Sequence, residues 1–152
     1  MTTKNFNVKN GLTVGNITLD SATGTLTSTN ANITNSLTAN TISSSRLNIR
    51  TSTTASTATL TPDISAYDQY NITAQAESLT IAAPIGTPVD GNKLMFRIID
   101  NGTSRAITWN ATYNVIGCIL PTSTTVNKMI YIGCIYNSTN TRWDVIAVST
   151  QT

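Results

Sequence analysis

The chain has 152 residues and a formal net charge of +2, with 39% of its residues hydrophobic and 11% charged. An average soluble domain has roughly 45–50% apolar and about 25% charged residues, so uncharged polar residues, mainly Thr, Ser and Asn, fill the difference. The nine basic residues are spread along the chain, which argues against a nucleic-acid-binding surface. No run approaches the roughly 20 apolar residues of a membrane span, so we expect neither nucleic acid nor a membrane as a partner.

The composition also predicts the fold class. Thr is β-branched and Asn and Ser hydrogen-bond their own backbone, so these residues favour strands and turns over helices. No segment shows sustained 3.6-residue periodicity. The first ten residues, MTTKNFNVKN, lack the apolar core of a signal peptide. We therefore expect an all-β protein that is made in a cytoplasm and stays there until an assembly leaves the cell.

Residues 1–55 form a stretch in which large apolar residues are sparse and separated by Thr, Asn, Ser and Gly. Such a stretch buries too little surface to offset an ordering entropy of roughly 1–2 kcal/mol per residue. We predict an extended, strand-rich arm that is ordered by neighbouring subunits. The apolar residues predicted to form its docking interface are Phe6, Val8, Leu12, Val14, Ile17 and Leu19.

Residues 56–152 contain runs of strand-forming residues separated by turn clusters. The pattern predicts a small antiparallel β-sandwich or jelly roll that holds itself together. The predicted strands are 57–64, 68–74, 78–83, 113–120, 128–136 and 141–149, with two more in the hairpin described next. The last two of these runs predict a closing hairpin around the polar loop at residues 137–140.

The strongest hairpin signal is the stretch 91–109, GNKLMFRIIDNGTSRAITW. Asn-Gly pairs supply the positive φ angles of a two-residue type I′ turn, so Asn101-Gly102 predicts an antiparallel hairpin. That register pairs Asp100 with Thr103, Ile98 with Arg105, Phe96 with Ile107, and Leu94 with Trp109.

One face of this hairpin is predicted to be apolar and the other mixed and partly wet. The residues predicted to fill the domain core are Leu79, Ile81, Leu94, Phe96, Ile107, Trp109, Ile130, Ile132, Trp143 or Val145, and Ile146.

The sequence offers little for catalysis. It has no histidine, which excludes Ser-His-Asp and Cys-His arrangements, and its carboxylates lie mostly beside turn residues, where Asp caps backbone groups. Carboxylate pairs remain an alternative. They could come from Asp63, Asp68, Glu77, Asp90, Asp100 and Asp144. We expect no enzymatic activity, no cofactor and no metal site, because no CxxC pair and no His provide zinc ligands.

Two further groups of side chains have alternative interpretations. Cys118 and Cys134 are expected to be free, buried thiols, with a disulfide as the alternative. Four aromatic residues could stack on sugar rings, although such residues more often fill sheet faces and corners. These candidate glycan-binding residues are Tyr67, Tyr70, Tyr113 and Trp143.

Several segments resemble a known family. Residues 5–20, NFNVKNGLTVGNITLD, resemble the start of virion structural proteins from tailed phages of marine and freshwater bacteria, cyanophages among them. The segments DQYNITA (68–74), DGNKL (90–94), DNG (100–102), AITWN (106–110) and WDVIAV (143–148) are similar to a module at the ends of such proteins.

The resemblance implies a homotrimeric virion protein whose arms dock on the particle and whose C-terminal domains project from it. Its partners would be further copies of the same chain, and the major capsid protein or another virion protein. The short chain favours a capsid decoration (cement) protein or short head fibre. A tail fibre or baseplate component and a host-glycan-binding adhesin are the alternatives.

Overall fold

A computed structural model provides the structure, which describes residues 48–152. This part of the chain is all-β and contains no helix. Its strands are β1 (Thr51–Thr54), β2 (Thr59–Leu60), β3 (Gln69–Gln75), β4 (Leu79–Ile81), β5 (Lys93–Asp100), β6 (Ile107–Trp109), β7 (Tyr113–Val115), β8 (Ile130–Asn137) and β9 (Arg142–Thr150). Residues 48–152 therefore include no helix long and apolar enough to cross a membrane.

The strands form two sheets. The larger has six strands in the order β1-β3-β5-β8-β9-β7, and the smaller has three in the order β2-β4-β6. From β1 to β6 the chain alternates between the sheets, and neighbours within each sheet are parallel in this part. Only the β5–β8 and β8–β9 pairs are antiparallel. The predicted antiparallel fold is therefore wrong for most pairs among residues 48–152, and a jelly roll is not confirmed.

The predicted hairpin at residues 91–109 is also wrong, together with its four cross-strand pairs. Strand β5 pairs with β3 on one side and β8 on the other, so neither edge is open to β6. β6 instead pairs with β4 in the smaller sheet. Gly102 has a positive φ of 95°, but Asn101 does not, whereas a type I′ turn needs positive φ at both positions. The segment is a crossover between sheets.

The inner faces of the two sheets share one core. Leu94, Phe96 and Ile107 are buried as predicted, and Trp109 packs against them while partly exposed. The Phe96 and Trp109 rings meet edge to face, with centroids 5.6 Å apart. The predicted alternation of inward and outward side chains in β5 and β6 is therefore confirmed, although their predicted pairing was wrong. The side-chain period of a strand is the same whichever strand it pairs with.

Ile146 was placed in the core by the sequence, but it is 51% exposed. The register between β8 and β9 shifts by one residue, since Cys134 faces Val145 whereas Gly133 faces Ala147. A bulge of this kind inserts an extra residue and reverses the alternation beyond it. Ile146 is that extra residue and points outward, and both Trp143 and Val145 are buried.

Other predictions have mixed outcomes. The closing hairpin is confirmed, with Asn137 facing Arg142 across the turn. Both cysteines are free, as expected; Cys134 is buried and Cys118 is partly buried. Thr51–Thr54, assigned to the arm by the sequence, form strand β1 and pair with β3. Residues 1–47 of the predicted arm lie outside the described residues.

Candidate functional site

Three of the four predicted glycan-binding aromatics lie in the core. Tyr70, Tyr113 and Trp143 are 5%, 6% and 2% exposed. The Tyr70 hydroxyl donates to the Asp63 carbonyl and accepts from the Asp63 amide, and the Tyr113 hydroxyl donates to the carbonyl of Ala82 at 3.1 Å. Burial raises the pKa of both phenols. These rings fill the sheet interior and cannot stack on a sugar, which corrects the prediction for them.

The fourth ring, Tyr67, is 39% exposed. It contacts Tyr70 edge to face, with ring centroids 5.9 Å apart, so it extends the core aromatics to the surface as a single exposed ring.

The predicted docking residues of the arm lie outside the described residues. They are Phe6, Val8, Leu12, Val14, Ile17 and Leu19.

Several carboxylates of the described residues bind local partners. Asp63 accepts from the Ser65 amide and Asp90 accepts from the Ser138 amide, each at 2.9 Å. The hydrogen bonds from Ser138 hold the pKa of Asp90 below its usual value. Within residues 48–152, no three His, Cys, Asp or Glu side chains come together as metal ligands.

Among residues 48–152, Asp100 is the one buried carboxylate, at 4% exposure. Its Oδ1 accepts from the amides of Gly102 and Asn127, each at 3.0 Å. Burial alone would raise its pKa, but these bonds, the Thr124 hydroxyl and the charge of Arg105 outweigh burial, and the net shift is downward. Asp100 thus holds the end of β5 to the segment that precedes β8.

Arg50 and Asp68 form a clamp beside β1. The guanidinium makes two bonds to the carboxylate, at 2.9 Å and 2.6 Å, and also donates to the carbonyls of Ser65 and Ile64. The hydrogen bond from Arg50 lowers the pKa of Asp68. Because both side chains are more than a third exposed, the pair fixes the path of the chain more than it stabilises the fold.

An open groove of about 510 Å³ lies on the outer face of the six-stranded sheet. Its lining is mainly apolar and includes Ile49, Met95, Ile135 and Ile146, with Gly133 between them and Lys93 to one side. Met95 is 41% exposed, Ile146 51% and Ile49 66%. We call this region the outer face groove.

The strand registers arrange the outer face in rows across β5, β8 and β9. One row is Lys93, Ile135 and Asp144, and the next is Met95, Gly133 and Ala147. In a third row the Arg97 guanidinium lies over the Tyr131 ring, 5.3 Å from its centroid.

Sequence reasoning missed this groove because it assigned Ile146 to the core and Met95 to an ordinary wet face. The available signal was Gly133, a glycine inside an otherwise apolar strand, which often marks close approach of another chain or a ligand.

Comparison with known proteins adds no relative, since no family model, curated protein or solved structure matches the chain. The groove is therefore interpreted from its own geometry.

Proposed function

We propose that this chain is a non-enzymatic structural component of a tailed-phage particle, a trimeric capsid decoration protein or short head fibre. The resemblance of residues 5–20 and of the segments between 68 and 148 supports the particle role. In this proposal the arm docks on the major capsid protein or another virion protein, and the two-sheet domain projects. The two sheets over one core support the sandwich form of that domain.

The observation that carries an assembly role is the contrast between the two sides of the six-stranded sheet. Its inner side packs against the three-stranded sheet in one core of buried residues. Its outer side presents an apolar groove with Met95 and Ile146 exposed. Contiguous exposed apolar surface marks interaction sites in soluble proteins, whereas the carboxylates described above are occupied by local hydrogen bonds. The geometry therefore favours binding of protein over catalysis.

The docking role of the arm can be tested with particles of the phage that encodes the chain, prepared without this protein. We expect the full chain to bind these particles and residues 48–152 alone, which contain the whole core, to remain folded but unbound. Co-sedimentation measures binding, and circular dichroism confirms the fold. A second variant replaces Phe6, Leu12 and Ile17 with Ser in the full chain, and it should also fail to sediment with the particles. Equal binding by the shortened chain would contradict arm docking.

A further inference from the structure

Gly133 occupies a position where the described fold does not need a glycine. Its φ is not in the positive region, and a Cβ added there would meet only the Cβ of Ala147, at an ordinary 3.8 Å. A glycine inside a strand costs roughly 0.5–1 kcal/mol relative to alanine. No contact of Gly133 among residues 48–152 requires the missing side chain, and its absence leaves a hollow on the outer face.

Opposite charges lie on the outer face in the row next to that hollow. Lys93 on β5 and Asp144 on β9 flank Ile135 in one row. Two strand spacings separate their backbones by about 9.5 Å, and the two side chains form no ion pair with each other. Lys93 makes no salt bridge with the residues that the structure describes. Asp144 accepts from the side-chain Nδ2 atoms of Asn114 and Asn137, each at 3.0 Å, and its carboxylate oxygens keep free lone pairs.

We infer that the outer face groove packs against the same face of a second copy of this chain, around an axis parallel to β8. Rotation about such an axis brings the β5 side of one copy against the β9 side of the next. Lys93 of one copy then meets Asp144 of its neighbour, and Met95 reaches the hollow at Gly133 and Ala147. The face is self-complementary in both charge and shape.

This inference goes beyond the proposed function, because an interface in which one face meets the same face of a neighbour joins two copies and does not by itself build a trimer. It adds which surface the copies share. The arm is not required for the contact, so particle docking and face packing are separable.

The first test measures the mass of the full chain against concentration by light scattering. Lys93→Glu places like charges together and should raise the concentration at half-assembly about tenfold or more. The same charge change at Lys128, which does not line the groove, is the control and should leave it unchanged. The double variant Lys93→Asp, Asp144→Lys should recover at least part of the assembly.

The second test fills the hollow. Gly133→Val adds a β-branched side chain that suits a strand, so the domain should stay folded while assembly weakens about tenfold or more. Thr108→Val, on the exposed side of β6, is the matched control. A zero-length carbodiimide should also join Lys93 and Asp144 between isotopically light and heavy chains.

The possible outcomes separate this inference from the proposed function. A chain that assembles equally well with Glu at position 93 and Val at position 133, both variants being folded, overturns the packing face and leaves the particle role standing. A full chain that stays monomeric at every concentration overturns the packing face and the trimer together. Loss of particle binding without loss of assembly contradicts only arm docking.

Discussion

At the scale of single residues, the interior is organised around Phe96. Its ring is fully buried and meets the rings of Trp109 and Tyr113 edge to face, at 5.6 Å and 5.9 Å between centroids. The three rings come from three different strands in two sheets. Edge-to-face pairs contribute about 0.5–1.5 kcal/mol beyond their buried area. Tyr113, which the sequence offered as a candidate glycan-binding residue, therefore belongs to the contact between the sheets.

The buried carboxylate of Asp100 gives a prediction about pH. The Asp100→Asn variant keeps the shape but loses the charge that two backbone amides bind, so we expect it to lower the free energy of unfolding at pH 7 by about 1–3 kcal/mol. Because the pKa of Asp100 is lowered in the folded state, its stabilisation is present above the ordinary aspartate pKa and is lost as pH falls through the lowered value.

Urea denaturation from pH 7 down to pH 3 measures this effect. The difference between the wild type and Asp100→Asn should shrink toward acid pH. Taking the difference between the two proteins removes the contribution of the other carboxylates, which both proteins share. A difference that stays constant over the whole range would show that the negative charge of Asp100 is not what stabilises the fold.

At the scale of elements, the crossover after β5 and the centre of β8 use glycine for different reasons. Gly102 has a φ of 95° with room around it, its nearest neighbour for an added Cβ being Asn127 Oδ1 at 3.6 Å. Gly133 has ordinary backbone angles. The first glycine is needed by the backbone of the crossover and the second is not needed by its strand.

A pair of alanine variants separates these roles. Gly102→Ala should lower the free energy of unfolding by roughly 1–2 kcal/mol, because a Cβ is strained at positive φ. Gly133→Ala should leave it unchanged or raise it by up to about 1 kcal/mol. Chemical denaturation under conditions where the chain is monomeric measures both. Equal destabilisation by the two variants would mean that β8 needs its glycine and would remove the main support for the packing face.

At the scale of the whole molecule, the two sheets should open together, because they share one core. Cys134 reports on this opening. It is 3% exposed, and burial, with a smaller effect of Cys118, raises the pKa of its thiol to about 12. The thiolate is the reactive form of cysteine, so Cys134 should react only in molecules that have unfolded.

Alkylation of a Cys118→Ser variant tests this cooperativity. Iodoacetamide at pH 8 should label Cys134 slowly in water, and the labelled fraction should rise along the same urea curve as the loss of tryptophan fluorescence. A denatured sample at the same pH is the control for full reactivity. Labelling that precedes the fluorescence change would show that β8 separates from the core before the domain unfolds.

Local pattern was enough to predict the all-β class, the inward and outward residues of β5 and β6, and the closing hairpin of β8 and β9. Each of these follows from composition, from the two-residue period of a strand or from a short polar loop between neighbouring runs. The candidate site fared less well. Of the predicted aromatic residues only Tyr67 reaches the surface, because side-chain type alone does not tell which face of a sheet is covered.

The tertiary structure alone decided strand pairing and the position of the groove. Asn101-Gly102 could not fold β6 back on β5, since β3 and β8 come from distant parts of the chain and occupy both edges of β5. The bulge that turns Ile146 outward is likewise set by the register of β8 against β9. The sequence by itself determined which residues alternate along β5 and β6. Which strands meet, and therefore which apolar side chains remain outside, depended on contacts that no local pattern contains.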